Sequence, residues 1–193
     1  MLSHLVSRYQ NNQARFSKSE VVLSVVLVLV LVLVALPFFT RMLENIERTA
    51  LQQIVRQLNA AAKMKMAEYV ALDKLQRLPE QMRINPVNWL DIRDLGGWDR
   101  YKGEVEIVEL VDFEQLGEQS WVFDKTTGRL IYKLAYPELL INEDPINNRI
   151  QFRVRMDYVD FDVKGKFDTK TDTITGLFVE AVYPYHWVKF DDR

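Results

Sequence analysis

The apolar run from Val21 to Phe39 constrains this chain more than any other feature of its sequence. Apart from Ser24, every residue up to Leu36 is Val, Leu or Ala, and Pro37-Phe38-Phe39 completes the run. A helix of about 19 residues is roughly 28 Å long, close to the hydrocarbon thickness of a bilayer. A lone strand would leave its backbone polar groups unpaired in lipid. The run therefore predicts one transmembrane helix, over residues 18–40.

Charged residues on either side of the run indicate its orientation. Basic residues outnumber acidic ones before the run but not after it: Arg8, Arg15 and Lys18 against Glu20, then Arg41 and Arg48 against Glu44 and Glu47. The positive-inside bias predicts a cytoplasmic basic tail or leader-like segment at residues 1–17, with the remaining domain in the periplasm of a bacterial cell. A cleaved secretory signal competes with this prediction, but its apolar core is usually about 7 to 15 residues long and ends at small residues.

A second helical pattern follows the run. Apolar residues recur at steps of three or four: Leu51, Val55, Leu58, Ala62, Met66, Tyr69 and Leu72. This stripe predicts an amphipathic helix over residues 41–78, ending near Leu78 because Pro79 and the Asn85-Pro86 pair disfavour helical backbone. The stripe either packs on a sheet of the same domain, which we favour, or pairs with a partner helix in a coiled coil.

In the distal region, residues 79–193, the period of the apolar residues changes to two. The predicted strands are Val105 to Ile107 or Leu110, Trp121 to Phe123, Arg129 to Leu134, Ile150 to Tyr158, Val159 to Phe167 and Ile174 to Val182. The second and third of these form a hairpin with Gly128 at its turn. We therefore predict the α+β class, with a long N-terminal helix packed on an antiparallel β-sheet.

The composition argues against several kinds of function. The formal net charge is −2 and no long basic run occurs, so nucleic acid is not an expected partner. The absence of cysteine excludes disulfides and thiolate chemistry. His4 and His186 fall on opposite sides of the predicted membrane, and Ser120 lacks the glycine-flanked setting of a nucleophile. We expect no catalysis, no cofactor, no bound metal and no small-molecule substrate.

Two features of the distal region resemble ligand sites but have simpler interpretations. Carboxylates cluster at Glu143-Asp144, at Asp157, Asp160 and Asp162, and at Asp168 and Asp172. Because none has the roughly twelve-residue spacing of an EF-hand loop, we expect solvated turns or strand faces rather than a calcium site. His186 stands between Tyr185 and Trp187, where we expect an aromatic end that closes the sheet rather than a ligand cluster.

The start of the apolar run carries a more specific signal. Phe16-Ser17-Lys18-Ser19-Glu20 opens the segment with an aromatic residue, places a glutamate fifth and leaves Pro37 twenty-second. This arrangement resembles the mature N-terminus of type IV pilins and pseudopilins, which carry an aromatic residue, a glutamate and a proline at these positions. The distal segment is also similar to pilin-like proteins of mannose-sensitive haemagglutinin (MSHA) pilus biogenesis, of the MshF type, at Trp121, Phe123, Gly128, Leu130 and Tyr132.

The resemblance implies a pilin-like fold and a function in assembly, with Phe16, Glu20 and Pro37 as the interacting residues. In the family the glutamate pairs with the N-terminal amine of a neighbouring subunit. The leader peptidase of the family cuts after glycine, whereas Arg15 precedes Phe16 here. We therefore expect residues 1–15 to stay attached and Glu20 to pair with Lys18, a neighbour's cation or interfacial water. The implied partners are other pilins, proteins of the assembly platform and membrane lipid.

Two alternatives remain open beside this interpretation. One is a generic single-span periplasmic scaffold unrelated to pili, in which the spacing of Phe16, Glu20 and Pro37 is chance. The other is a membrane-anchored enzyme with a carboxylate site that includes Asp157 or Asp160.

Overall fold

The computed structural model describes residues 17–90, 100–106, 115–161 and 165–187. Two compact units follow each other in the sequence, the first ending at Leu43 and the second beginning at Glu44. The described part of the first unit is helical and apolar, and the second unit combines helical and sheet elements. The chain therefore has the predicted α+β class, with an N-terminal apolar helix and a mostly antiparallel sheet.

Helix α1 runs from Lys18 to Ala71 and includes Pro37. The predicted end near Leu78 is wrong, because the helix stops where Asp73 adopts a positive φ of 52°. The Asp73 amide donates to the Val70 carbonyl at 3.1 Å and the Lys74 amide to the Tyr69 carbonyl at 2.9 Å. These bonds form a Schellman motif, in which Asp occupies the left-handed position that glycine usually takes.

Short 3-10 helices connect α1 to the sheet and interrupt the strands. Their bounds are Leu75–Arg83, Pro86–Trp89 and Pro137–Leu139. Pro79 lies inside the first of these 3-10 helices. It therefore does not mark the end of α1, which comes eight residues earlier, at Ala71. Asn85 caps the second, since its side-chain oxygen accepts from the Val87 amide at 3.1 Å.

Seven strands are present in the described residues. They are β1 Tyr101–Val105, β2 Trp121–Asp124, β3 Arg129–Lys133, β4 Leu140–Asn142, β5 Arg149–Val159, β6 Thr173–Ala181 and β7 Tyr185–Trp187. The main sheet has the order β1-β2-β3-β5-β6, and β4 pairs with β7 in a separate two-stranded sheet. All pairings are antiparallel except β1 with β2, which is parallel. The predicted, mostly antiparallel sheet is therefore confirmed, and the pairing of β1 with β2 is its one parallel exception in the described residues.

The hairpin and the two long strands are confirmed. In β2 and β3, Phe123 lies opposite Leu130, and Gly128 at the turn has a φ of +68°, which side chains disfavour. The predicted strand from Val159 to Phe167 is wrong for its described residues after Val159, because β5 ends there and pairs with β6. Ile107 and Leu110 lie outside the described residues.

The core of the second unit lies between α1 and one face of the main sheet. From α1 it takes Leu51, Ile54, Leu58 and Ala62, and from the strands mainly Trp121, Phe123, Leu130, Tyr132, Ile150, Phe152, Val154, Met156, Ile174, Leu177 and Val179. Val55, Met66 and Tyr69 pack against the edge of this cluster, whereas Leu72 is exposed. The apolar stripe thus packs on the sheet of its own domain, the favoured prediction, rather than in a coiled coil.

Candidate functional site

The polar start of α1 is closed by two of its own side chains. The Ser17 amide donates to Glu20 Oε2 at 2.8 Å, and the Glu20 amide lies 3.3 Å from Ser17 Oγ. This reciprocal pair is a capping box, and the Glu20 amide also donates to the Ser17 carbonyl at 3.0 Å. Glu20 therefore has a bonded partner that differs from Lys18, from a neighbouring chain and from water, the three partners predicted for it.

The capping box could have been predicted from the sequence, although the sequence interpretation did not include it. Serine followed three residues later by glutamate, just before an apolar run, is its signature, and Ser17-Lys18-Ser19-Glu20 fits it. Glu20 was interpreted instead as the fifth residue counted from Phe16, the position of the glutamate in pilins. Phe16 and Arg15 lie outside the described residues.

The apolar part of α1 is exposed along its whole length. The Val and Leu side chains from Val21 to Val34 are between 47% and 69% exposed. Among the described residues, Lys18–Phe39 is the one helix long and apolar enough to cross a membrane, with a mean hydropathy of 3.3 and none of its most apolar window buried. Its length and composition suit a membrane anchor or a signal sequence.

The two predicted assembly residues that the structure describes, Glu20 and Pro37, do not lie in one site. Glu20 stands at the start of the exposed run and Pro37 near its end, and both lie on α1. Along a helix axis they are about 25 Å apart. They mark the two ends of a surface, so any function they share belongs to the whole apolar helix and not to a pocket.

Glu47 is a buried carboxylate that the sequence interpretation treated as a flanking surface charge. It is 2% exposed. Its Oε1 accepts from the Tyr132 hydroxyl at 2.9 Å and from the Ala135 amide at 3.0 Å, and its Oε2 accepts from the Tyr136 amide at 3.2 Å. These bonds tie α1 to the end of β3 and the turn after it. Nothing near Glu47 in the sequence indicates this, because its donors are 85 or more residues away.

The environment of Tyr132 follows from its position beside this carboxylate. Burial raises the pKa of the Tyr132 phenol, the negative charge of Glu47 and the hydrogen bond to it raise the pKa further, and Arg100 opposes them. An ionised phenolate would lie in a poorly hydrated site against a carboxylate, which is unfavourable. Tyr132 therefore stays neutral, and its hydroxyl donates a hydrogen bond to Glu47.

In addition to the Glu47 hydrogen bonds, the side chain of Asn59 joins α1 to β6, the edge strand of the main sheet; we call this pair of hydrogen bonds the Asn59 clamp. The Asn59 amide nitrogen donates to the Val179 carbonyl at 3.0 Å, and the Asn59 side-chain oxygen accepts from the Val179 amide at 2.9 Å. One side chain thus pairs with both backbone groups of a residue on the outer edge of the sheet. It substitutes locally for a neighbouring strand.

The predicted carboxylate clusters serve local structure. The predicted solvated setting is wrong for Asp144, which is buried and pairs with Arg149, whose Nε is 3.1 Å from Asp144 Oδ2. Asp172 accepts from the Asp168 amide at 2.8 Å in the loop after β5, and Asp160 accepts from the Gly165 amide at 2.6 Å. Asp162 lies outside the described residues. Within the described ranges, no three His, Cys, Asp or Glu side chains are grouped so as to hold a metal ion.

The aromatic residues around His186 pack on the core, and they do not close the main sheet as predicted, because β7 pairs with β4 in a separate sheet. Trp187 is buried in the cluster between α1 and the sheet, and Tyr185 meets Phe152 edge to face with ring centroids 6.3 Å apart. His186 alternates with them in β7 and is exposed. Burial raises the pKa of the Tyr185 phenol.

Comparison with known proteins leaves the family of the chain open. No protein-family model, no curated protein and no solved structure matches it. The α+β fold and the exposed apolar helix are therefore the observations on which a function has to rest.

Proposed function

We propose that the chain is a pilin-like, membrane-anchored subunit or accessory protein in the assembly of a type IV, MSHA-type pilus or a related secretion system. It acts by binding other proteins and not by catalysis. Helix α1 is the observation that supports this proposal: its residues up to Phe39 are apolar and exposed, and from Leu51 onward the helix packs on a sheet. The aromatic, glutamate and proline spacing of Phe16, Glu20 and Pro37 adds to it.

The proposed location follows from the same helix. Residues 18–40 anchor the protein in a bacterial inner membrane, the basic segment before them stays in the cytoplasm, and the second unit lies in the periplasm. The proposed partners are other pilins or proteins of the assembly platform, together with the membrane lipid around the span.

Affinity purification from native membranes tests the proposed partners. The tagged full-length chain, extracted in a mild detergent, is expected to recover prepilins or assembly-platform proteins. An unrelated single-span periplasmic protein with the same tag is the control, because it reports what any such anchor recovers. If both proteins recover the same set, the proposal fails.

A generic single-span scaffold is the second candidate, and the capping box favours it. One oxygen of the Glu20 carboxylate already accepts from the Ser17 amide at 2.8 Å, so this residue has a role in its own helix without any pilin partner. Glu20→Ala tests whether this carboxylate also contacts pilins: reduced recovery would show that it does, and unchanged recovery leaves it the role of capping its own helix. Ser17→Ala is the matched control, since it weakens the same cap and keeps the carboxylate.

The state of the N-terminus is a separate part of the proposal. Arg15 stands where the leader peptidase of pilins requires a small residue, so the protein is expected to keep residues 1–15. Intact mass measurement on protein from its native membrane distinguishes the two forms. A mass that lacks these residues would show that the leader is removed.

A further inference from the structure

The apolar part of α1 presents one kind of surface in all directions. From Val25 to Val34 the chain consists only of valine and leucine, and every one of these side chains is at least 47% exposed. Successive residues of an α-helix are rotated by about 100°. Branched hydrocarbon therefore covers the full circumference of the helix, without the polar stripe that a surface helix of a soluble domain has.

This surface lacks the features that hold helices together inside a bilayer. Such contacts use small residues that let two backbones approach closely, or polar side chains that bond across the interface. The run contains no glycine, and Ser24 and Ala35 lie three turns apart on one face with Val28 and Leu31 between them. Ser24 opens a shallow notch of about 260 Å³ lined by Val25, Val28 and Leu29. A helix partner would be expected there first.

The charged group at the start of the span, the Glu20 carboxylate, has a hydrogen-bond donor within the same chain. Glu20 accepts from the Ser17 amide at 2.8 Å, and its own amide lies 3.3 Å from Ser17 Oγ. Ionisable groups at the edge of a membrane segment usually need a partner or the headgroup region. Here the carboxylate has a donor from its own helix, and a neighbouring subunit is not needed to supply one.

We infer that lipid acyl chains, rather than another protein helix, surround this span on every face. The span Lys18–Phe39 has 22 residues, and a helix of that length is about 33 Å long, which matches a hydrocarbon core of about 30 Å. The inference rests on the proposed membrane anchoring and narrows the proposed function. The chain stays in the bilayer as an accessory protein, and its second unit makes the protein contacts.

Site-directed spin labelling of the full-length chain in phosphatidylethanolamine–phosphatidylglycerol vesicles tests the inference. The chain has no cysteine, so Leu27→Cys, Val28→Cys, Leu29→Cys and Val30→Cys each carry one nitroxide and together sample all faces. Oxygen, which concentrates in lipid, is expected to reach the four labels to within about twofold, and a water-soluble nickel chelate is expected to reach none. Met64→Cys is the control, since Met64 is 74% exposed in the second unit and should be open to the chelate.

The outcomes separate this inference from the proposal beneath it. If oxygen is shielded at one face, with Val28 beside the notch the most protected, a helix partner is present and the lipid inference is overturned while the anchor stands. If the nickel chelate reaches all four labels, the span is not in the bilayer and both are overturned. A photo-crosslinking residue at the same four positions in native membranes extends the test. The absence of protein adducts at all four supports the inference, and a protein adduct at any of them overturns it.

Discussion

At the scale of single residues, Glu47 is the position where chemistry departs most from a simple apolar core. Moving a carboxylate out of water is costly unless its oxygens are fully hydrogen-bonded. Glu47 meets this condition with the Tyr132 hydroxyl and the amides of Ala135 and Tyr136. Because the donors come from β3 and the following turn, the same bonds set how α1 is aligned along the sheet.

We predict that Glu47→Ala lowers the free energy of unfolding by about 2–4 kcal/mol, because it leaves a buried hydroxyl and two partly buried amides without an acceptor. Glu47→Gln should cost less, since its one remaining oxygen still accepts. The measurement is urea unfolding of the full-length chain in detergent micelles, followed by tryptophan fluorescence. Glu68→Ala is the control, because Glu68 is exposed and pairs with Lys65 on the surface of the same helix, so its loss should change stability by less than about 0.5 kcal/mol. Equal effects of the two alanine variants would contradict the role of Glu47.

The raised pKa of Tyr132 predicts that the free energy of unfolding decreases at alkaline pH. Its pKa is raised in the folded chain, mainly by burial, so the neutral phenol stabilises the fold fully below its ordinary pKa of about 10 and this contribution is lost as the pH rises beyond it. Tyr132→Phe should therefore lower stability by about 1–2 kcal/mol at pH 7, and the difference from wild type should shrink above about pH 10. Tyr101 and Tyr185, whose pKa values are also raised, are present in both proteins and cancel in the comparison. A difference that stays constant up to about pH 11 would rule out this linkage.

At the scale of elements, the fold depends on how α1 meets an open sheet edge. β6 is the outer strand of the main sheet, and unpaired backbone groups on an edge invite pairing with other chains. Asn59 covers both backbone groups of Val179 from the helix. The helix therefore supplies polar pairing as well as apolar cover, and the two interactions are made by residues one position apart, Leu58 and Asn59.

We predict that Asn59→Ala speeds hydrogen exchange of the Val179 amide by about tenfold or more, because that amide loses its acceptor. The amides of Arg153 and Arg155 in β5 should change much less, since the β5–β6 pairing remains. Gln53→Ala, at an exposed position of the same helix, is the matched control and should leave Val179 unchanged. Unchanged exchange at Val179 in the Asn59 variant would show that the clamp does not protect the edge.

At the scale of the whole molecule, the division near Leu43 separates a segment with an exposed apolar surface from a unit that has a buried core. All residues of the buried core cluster lie in the second unit, from Leu51 onward, and the exposed valines and leucines of the span lie in the first. The second unit therefore has its own apolar core, and the first has a surface suited to lipid.

We predict that a chain that begins at Glu44 is soluble without detergent and unfolds in one cooperative transition. A chain that begins at Arg48 is the matched control: it lacks Glu47 and should be less stable by about 2–4 kcal/mol, as in the Glu47→Ala variant. Thermal unfolding followed by circular dichroism compares the two. Aggregation of the chain that begins at Glu44 would show that the second unit needs the span in order to fold.

Local patterns in the sequence are sufficient to predict several of the elements. The stripe that begins at Leu51 and the long strands β5 and β6 repeat with the period that the backbone geometry imposes. The apolar run is recognised by its length and composition, and the hairpin by the glycine at its turn. Each of these can be recognised in a short window, since neighbouring residues on one face carry the information. The capping box of Ser17 and Glu20 belongs to this group too, although the spacing from Phe16 drew attention away from it.

Features that depend on distant partners follow from the folded arrangement of the chain and have no local signal. The parallel pairing of β1 with β2 and the pairing of the short strands β4 and β7 are set by the path of the chain, not by a periodic pattern. Glu47 and Asn59 bond to groups 85 and 120 residues away, and an exposed and a buried glutamate look alike in the sequence. Their roles follow from desolvation, which requires a bonded partner for each polar group that the packing of α1 on the sheet removes from water.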